Sequence, residues 1–330
     1  MKLKIGFTYD AKTDYKLKPG DSSDKYAEFD SDATIAEISG ALASPGHEIV
    51  RIGHAGNLLK RIKSGEKWDI VFNIAEGVSG RNRESQVPMI LEMHGIPYTG
   101  SDALTMGLAL DKTLAKTVIA YNGLPTPAFF LADNPGDVEK CACKFPAIVK
   151  PNEEGTSKGI SGESVAHDKA AAAKRAEFII NTYKQPALIE EFIFGQEFTV
   201  GVIGNDNPEA LPPLQVIIKG ETELGDQIYT QARVVNDELD YLCPSSAPEE
   251  LQDKLKQYAA RAFKLLGCRD LARIDFRVDR DGTPYFLECN PLPHLGLIDA
   301  FPLYAKATGR TYEQIIVEIL NHALKRYNIK

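Results

Sequence analysis

The chain reads as an α/β unit followed by two α+β units, and three observations carry that prediction. Short apolar strands alternate with helical stripes through the first hundred residues; the pattern after Pro127 turns rich in strands; and the stretch R-I-D-F-R-V-D-R-D-G-T-P-Y-F-L-E-C-N from Arg273 to Asn290 spells two strands around a tight turn.

Residues 3 to 8 read as a buried first strand, and Ile35, Ile38 and Leu42 fall on one helical stripe between Ala33 and Leu42 that Gly46 stops. H-E-I-V-R-I-G is then a strand, G-N-L-L-K-R-I-K a helix, and D-I-V-F-N-I a strand of the buried, parallel type. A helix from Ser85 through Met93 ends at Gly95, and two short helices around Leu104 to Tyr121 close at Gly123 and Pro125. The first boundary is placed near Ile96. Beyond Pro127 come A-F-F-L, A-I-V-K-P, a glycine-containing loop, an alanine-rich helix from Asp168 to Asn181 and L-I-E-E-F-I. E-F-T-V-G-V-I, L-Q-V-I-I, a helix from Pro248 to Leu266, the hairpin and terminal helices follow. The polar, glycine-punctuated run from Gly220 to Val235 is expected to be a mobile flap.

With 330 residues, 43% of them hydrophobic, the chain is long enough for two or three packed units. A net charge of −8 argues against general binding to nucleic acid or anionic lipid, which needs a basic excess. No apolar run approaches the roughly 20 residues of a membrane span, and the opening M-K-L-K-I-G-F reads as a strand, so a soluble cytoplasmic protein is expected. Five cysteines, an odd number, point to reduced thiols.

Period-two alternation puts Arg273 and Asp275 on one face of their strand, and Glu288 and Asn290 on one face of the next. Two acids and an amide converging there are hard oxygen donors of the kind that hold Mg²⁺, with an arginine left to meet negative charge; a solvated hairpin face is the alternative. Lys150 ends the strand A-I-V-K-P directly before E-E-G-T-S-K-G-I-S, where Gly155 allows close backbone approach and Thr156 and Ser157 offer hydroxyls to phosphate. Glu190, Glu191 and Glu197 interrupt apolar strands, so each must lie at a rim or meet donors such as a ribose hydroxyl or an adenine amine. Glu76, Arg81, Arg83 and Glu84 form a dense charged group suited to a zwitterionic substrate, or a solvated loop. The six histidines are scattered and none lies in a nucleophile motif; His294, just past the hairpin, is a candidate substrate contact.

In order and spacing, G-I-P-Y-T-G-S, L-D-K-T-L-A-K, G-L-P-T-P, F-P-A-I-V-K-P, E-G-T-S-K-G, L-I-E-E-F, Q-E-F-T-V, Y-L-C-P and A-R-I-D-F with E-C-N resemble the D-alanine–D-alanine ligases of the ATP-grasp superfamily. The likeness runs from about Ile70 almost to the C-terminus. It implies a Rossmann-like N-terminal domain (1–96) and two α+β lobes that grip ATP, a central one (97–186) with the glycine loop and a C-terminal one (187–330) with the metal site. It further implies phosphate contacts from Lys112 and Lys150, Glu190 at the adenine amine, Glu191 to Ile193 as the hinge along the ring edge, Leu287 against the nucleotide and Glu197 at the ribose. Asp275, Glu288 and Asn290 correspond to ligands of Mg²⁺, or Mn²⁺ in its place. Arg273 corresponds to the stabiliser of a tetrahedral intermediate, and Arg233 to a loop lysine that reaches the γ-phosphate.

The implied reaction is carboxylate–amine ligation through an acyl phosphate, giving D-alanyl-D-alanine or another small amino-acid conjugate, with a homodimer as the implied assembly. A nucleotide-binding regulatory protein that has lost ligation is the alternative from another class. The acceptor half departs from the family pattern. The family's early glycine-rich segment with its ammonium-binding glutamate is replaced by F-T-Y-D and a polar loop, where Glu28 or Asp30 could substitute. Asn73 stands for a histidine near the first substrate, Thr156 for the loop serine, Val234 for the flap tyrosine that bonds it, and His294 for an oxyanion-hole glycine.

Overall fold

Three sheets, each built from a different stretch of chain, organise the protein. A computed structural model describes residues 2–330 apart from Gln231, Val234, Val235 and Ile298. The N-terminal stretch contains β1 (Lys4–Thr8), α1 (Asp32–Ala43), β2 (Glu48–Arg51), α2 (Ala55–Lys63), β3 (Ile70–Asn73) and α3 (Gln86–Met93). It continues into α4 (Ala103–Leu110) and α5 (Lys112–Tyr121). The strands form a parallel sheet in the order β2-β1-β3. Ser31 caps α1 by accepting from the Thr34 amide, and Ile35, Ile38 and Leu42 go under, as the helical stripe requires.

The central stretch contains β4 (Phe129–Ala132), β5 (Ala147–Pro151), β6 (Val165–Ala166), α6 (Lys169–Tyr183) and β7 (Ala187–Glu191), paired in the order β4-β7-β5-β6. The last stretch contains β8 (Gln196–Gly204), β9 (Glu209–Ala210), β10 (Leu214–Ile218), β11 (Leu239–Leu242), α7 (Glu249–Leu265), β12 (Asp270–Val278) and β13 (Pro284–Asn290). Helices α8 (Ala300–Ala307) and α9 (Tyr312–Arg326) end the chain. Its sheet runs β11-β10-β8-β12-β13, with β9 on β8. Both α+β sheets are antiparallel throughout.

The expected boundaries each cut through paired backbone. Val71 donates to the carbonyl of Pro97 and Thr99 donates back to Val71, so the chain still belongs to the first sheet beyond residue 96. Strand β7 lies between β4 and β5 in the central sheet, so a division at 187 severs a strand from its partners. The last helix also returns to the beginning. Ile315, Ile316, Ile319 and Leu320 of α9 share one core with Ile35, Ile38 and Leu42 of α1. No described helix is long and apolar enough to cross a membrane.

Asp270 ties these parts together at the first residue of β12, where it is fully buried. Its carboxylate accepts from Arg326 at 2.7 Å, from the Gly100 amide at 2.9 Å and from Asn205 at 2.9 Å. Arg326 also donates to the Tyr98 carbonyl at 2.9 Å. One carboxylate thus holds the end of the first sheet, the core of the last sheet and the final helix. Asp270→Ala is expected to destabilise the protein by about 3–5 kcal/mol, because it strands the Arg326 guanidinium in the interior. Equilibrium denaturation by urea, followed by circular dichroism, checks the loss.

Candidate active site

A cavity of about 500 Å³ opens between the central and last sheets, with loops from the N-terminal stretch closing one end. Its floor is the hairpin. Arg273 pairs in register with Asn290, and Asp275 with Glu288, before a bulge between Asp275 and Phe276 shifts the ladder. The four side chains line the same wall: alternation aligns them in pairs within each strand, and the bulge sets the two pairs opposite each other. Arg273 grips Asp275 through two nitrogens, each at 3.1 Å, and Asn290 donates its amide to Asp275 at 3.0 Å. Thr199 on β8 donates to the same carboxylate.

Two lysines, Lys112 and Lys150, line the opposite side, and a third, Lys116, stands buried behind them. Lys112, the first residue of α5, donates to the Glu154 carbonyl and meets Glu288 at 3.1 Å. Burial works to raise the Glu288 carboxyl, but the charges of Lys112 and Lys150 outweigh it and hold the group down at about 2. Lys150 on β5 pairs with Glu190 on β7, and Lys116, one helical turn beyond Lys112, meets the other oxygen of Glu190 at 2.7 Å. Burial pushes the Lys116 ammonium down to about 8 against the pull of Glu190. Burial acts on Lys150 in the same sense, yet Glu190 and Glu288 prevail and raise it.

Glu190 is thus a partner of two lysines, where the resemblance implies an acceptor for an adenine amine. Along the expected hinge, Glu191 donates its amide to the Ala128 carbonyl and Phe192 donates to that of Pro146, while the Ile193 amide has no acceptor among the described residues. Glu191, Ile193, Glu197 and Leu287 all line the cavity. Glu197 lies 3.8 Å from Arg277, and burial, the larger influence, raises its carboxyl. In the glycine loop Thr156 and Ser157 line the cavity in the left-handed conformation, at φ 49° and 55°. A side chain at Gly155 would bring its Cβ to 2.7 Å from Glu28, whose carboxylate accepts the Gly155 amide. That amide is therefore engaged within the protein.

The charged group between residues 76 and 84 divides. Glu76 and Glu84 line the cavity. Arg81 turns outward to Asp111 at 2.6 Å, and Arg83 is buried against Glu28 at 2.9 Å and the Glu153 carbonyl at 2.7 Å. Asn73 is also absent from the cavity wall; its side chain accepts from Thr8 at 2.8 Å inside the first sheet, and Glu76 faces the cavity in its stead. Arg233 pairs with Glu238 at 2.9 Å and does not reach the cavity, while Val234 lies outside the described residues. Nearby flap residues pack down: Leu224 and Ile228 are buried, and Arg277 donates to the Gln227 carbonyl at 3.0 Å. Of the two substitutes for an ammonium-binding glutamate, Glu28 is occupied by Arg83 and Lys158, and Asp30 lies 3.5 Å from His294. His294 lines the cavity and contacts Asp299 at 3.4 Å on its other side.

Residues 118–321 match the family described as D-ala D-ala ligase C-terminus. The D-alanine–D-alanine ligase of Pelotomaculum thermopropionicum is 33% identical over 303 residues, 89% of this chain and 92% of that one. The chain belongs to the D-alanine–D-alanine ligase family. An uncharacterized protein of Sinorhizobium fredii, y4sG, is 37% identical over 266 residues, 78% of this chain and 75% of that one. The likeness extends to the fold of the Bacillus anthracis D-alanine–D-alanine ligase crystallised with ATP, at a TM-score of 0.75 and 24% identity over 99% of both chains. The ATP-grasp architecture expected from the motifs is therefore present.

Sequence reasoning missed Arg277 and Asp299 in the lining of this ligase-family cavity, and Lys116 behind it. The spacing of Lys112 and Lys116 in L-D-K-T-L-A-K, one helical turn, is the one available clue to Lys116. Asp299 answers a histidine five positions away, which no periodicity marks.

The Glu288 carboxyl, ordinarily near 4.5 and here at about 2, stabilises the fold wherever it is ionised in the native state. That contribution is complete above 4.5 and disappears as pH falls toward 2. The stability advantage of the native chain over Glu288→Gln, measured by urea denaturation, should accordingly narrow across this window.

Proposed function

We propose that the protein joins the carboxylate of one small amino acid to the amine of another, using ATP and passing through an acyl phosphate. The substrate named for its relatives is D-alanine. The observation that carries this reading is a single cavity wall on which Arg273, Asp275, Glu288 and Asn290 face Lys112 and Lys150.

In this reading the substrate carboxylate oxygen attacks the γ-phosphorus and ADP leaves. The second substrate's amine then attacks the acyl carbon, loses a proton, and phosphate departs from the tetrahedral adduct. Lys112 and Lys150 meet phosphate oxygens, and Arg273 meets the charge that develops on the adduct. Ile193 and Leu287 hold the base, Glu197 the ribose, and Thr156 and Ser157 the phosphates. Arg233 would reach the γ-phosphate only after leaving Glu238. No protein nucleophile is needed, so catalysis rests on positioning and charge.

The donor set suits Mg²⁺ or Mn²⁺. Asp275 and Glu288 supply carboxylates, and the Asn290 amide nitrogen points to Asp275, leaving its oxygen as a donor. Among the described residues no three His, Cys, Asp or Glu side chains gather as a metal cluster, and this donor set counts two such side chains with the amide as its third oxygen. Bound there, a divalent ion would neutralise phosphate charge. Small molecules are the partners in this reading. A cytoplasmic setting suits the five free cysteines and the supply of ATP, and a homodimer, the assembly implied by the family resemblance, is open to sedimentation equilibrium.

Phosphate release from ATP with Mg²⁺ over a panel of D- and L-amino acids tests the proposal; no amino-acid-dependent turnover with any pair would sink it. Glu288→Gln should lower turnover by orders of magnitude while the circular dichroism spectrum stays native. Arg273→Ala should reduce kcat far more than it raises KM for ATP. Equal effects on both would instead make Arg273 a ground-state phosphate ligand.

A further inference from the structure

Glu76 and Glu84 face the cavity at the end closed by the N-terminal loops, and among the described residues neither carboxylate has a hydrogen-bond or ion-pair partner in the protein. Glu84 is 8% exposed, so what remains open of it opens into the cavity. The cations that might have answered them are engaged elsewhere. Arg83 and Lys158 are matched against Glu28 and Glu154, two against two. Arg81 is committed to Asp111, and Lys112 to Glu288 and the Glu154 carbonyl. His294 stands between two further acids, Asp30 and Asp299, and among the described lining residues only Lys12, exposed at the rim, adds an uncommitted positive charge.

An unpartnered buried carboxylate costs several kcal/mol unless something neutralises it. Burial raises the Glu84 carboxyl to about 7, and burial together with Glu84 raises Glu76 well above the ordinary range. Two acids that resist ionising side by side will ionise together when ammonium groups arrive. A monoamino acid brings one such group. We infer that this end of the cavity takes a substrate with two amino groups, a small diamino acid, in preference to a neutral-side-chain amino acid such as alanine. The inference rests on the ligase reading for its carboxylate end, which is directed toward Lys150 and Arg273, and adds the second cation.

The test pairs each diamino acid with its neutral counterpart: 2,3-diaminopropionate with alanine, and ornithine with norvaline, in both D and L forms. In the phosphate-release assay, kcat/KM for the best diamino acid should exceed that of its counterpart by about tenfold or more, one charge-assisted hydrogen bond's worth. Glu84→Gln should bring that ratio close to one, and Glu76→Gln, on a less buried side chain, repeats the measurement should the first variant fail to fold. Neutral amino acids used as well as their diamino partners would overturn the inference and leave ligation standing. No release with any amino acid, while a diamino acid but not its counterpart raises the melting temperature, would overturn ligation and support the inference. Neither release nor a shift overturns both.

Discussion

Glu190 meets two ammonium groups inside the protein, and the cavity is arranged around that contact. Its carboxylate sits on β7 in the middle of the central sheet, with Lys150 from β5 on one oxygen and Lys116 from α5 on the other. A buried carboxylate with one lysine would be neutral as a pair; with two, the group keeps a net positive charge at the cavity wall. Removing either lysine would leave strongly desolvated groups poorly matched. The triad therefore fixes α5 to the central sheet, and with it Lys112 at the helix start, opposite Glu288 on β13. Two lobes with separate cores are brought to one electrostatic centre.

The same centre explains why Glu288 remains ionised so readily. Its neighbours are Lys112, Lys150 and Arg273, and Arg273 is itself held by Asp275. Positive and negative groups alternate across the wall, so each is stabilised by the next and none is free to turn away. Arg277, two residues along β12, extends the pattern by joining the Gly195 and Gln227 carbonyls while stacking on Phe192, 4.8 Å from the ring centre. The hinge, the flap and the hairpin share that one guanidinium.

What was legible in the sequence follows from what period and turn chemistry can carry. Alternation pairs Arg273 with Asp275 on one face and Glu288 with Asn290 on another, but counting out from the D-R-D-G turn sets Asp275 opposite Leu287; the bulge after Asp275, which no local pattern marks, brings Glu288 opposite it instead. Lys150, Glu190 and Glu197 were visible as charges interrupting apolar strands. Residues 81 to 84 were opaque for the opposite reason: a short helical turn sends neighbours in different directions, and only the partners Asp111 and Glu28, distant in sequence, decide that the arginines leave the cavity. Asn73 failed similarly, since the last residue of a buried strand can serve the sheet or the site, and Thr8 draws it to the sheet. Pairing crosses both expected unit boundaries, since β7 and residues 97–99 complete sheets begun earlier, and such pairing leaves no mark in local pattern.

The two halves of the cavity are built by different means, and this sets what each can specify. The end proposed to take phosphate stands on paired strands and a helix start, where register holds side chains at fixed spacing and the family motifs can be read in order. The other end is made of loops, Ala27 to Phe29, Glu76, Glu84 and His294, whose positions depend on contacts between sheets. Charge follows the same division, with Lys112, Lys150 and Arg273 in the middle and unmatched acids at the loop end. A diamino acid entering such a field aligns its carboxylate with the lysines and its two ammonium groups with Glu76 and Glu84, since the reverse placement sets like charges against one another. Alignment of that kind determines which carboxylate meets the γ-phosphate. In a site without a protein nucleophile, that choice is made by binding geometry before any bond is formed.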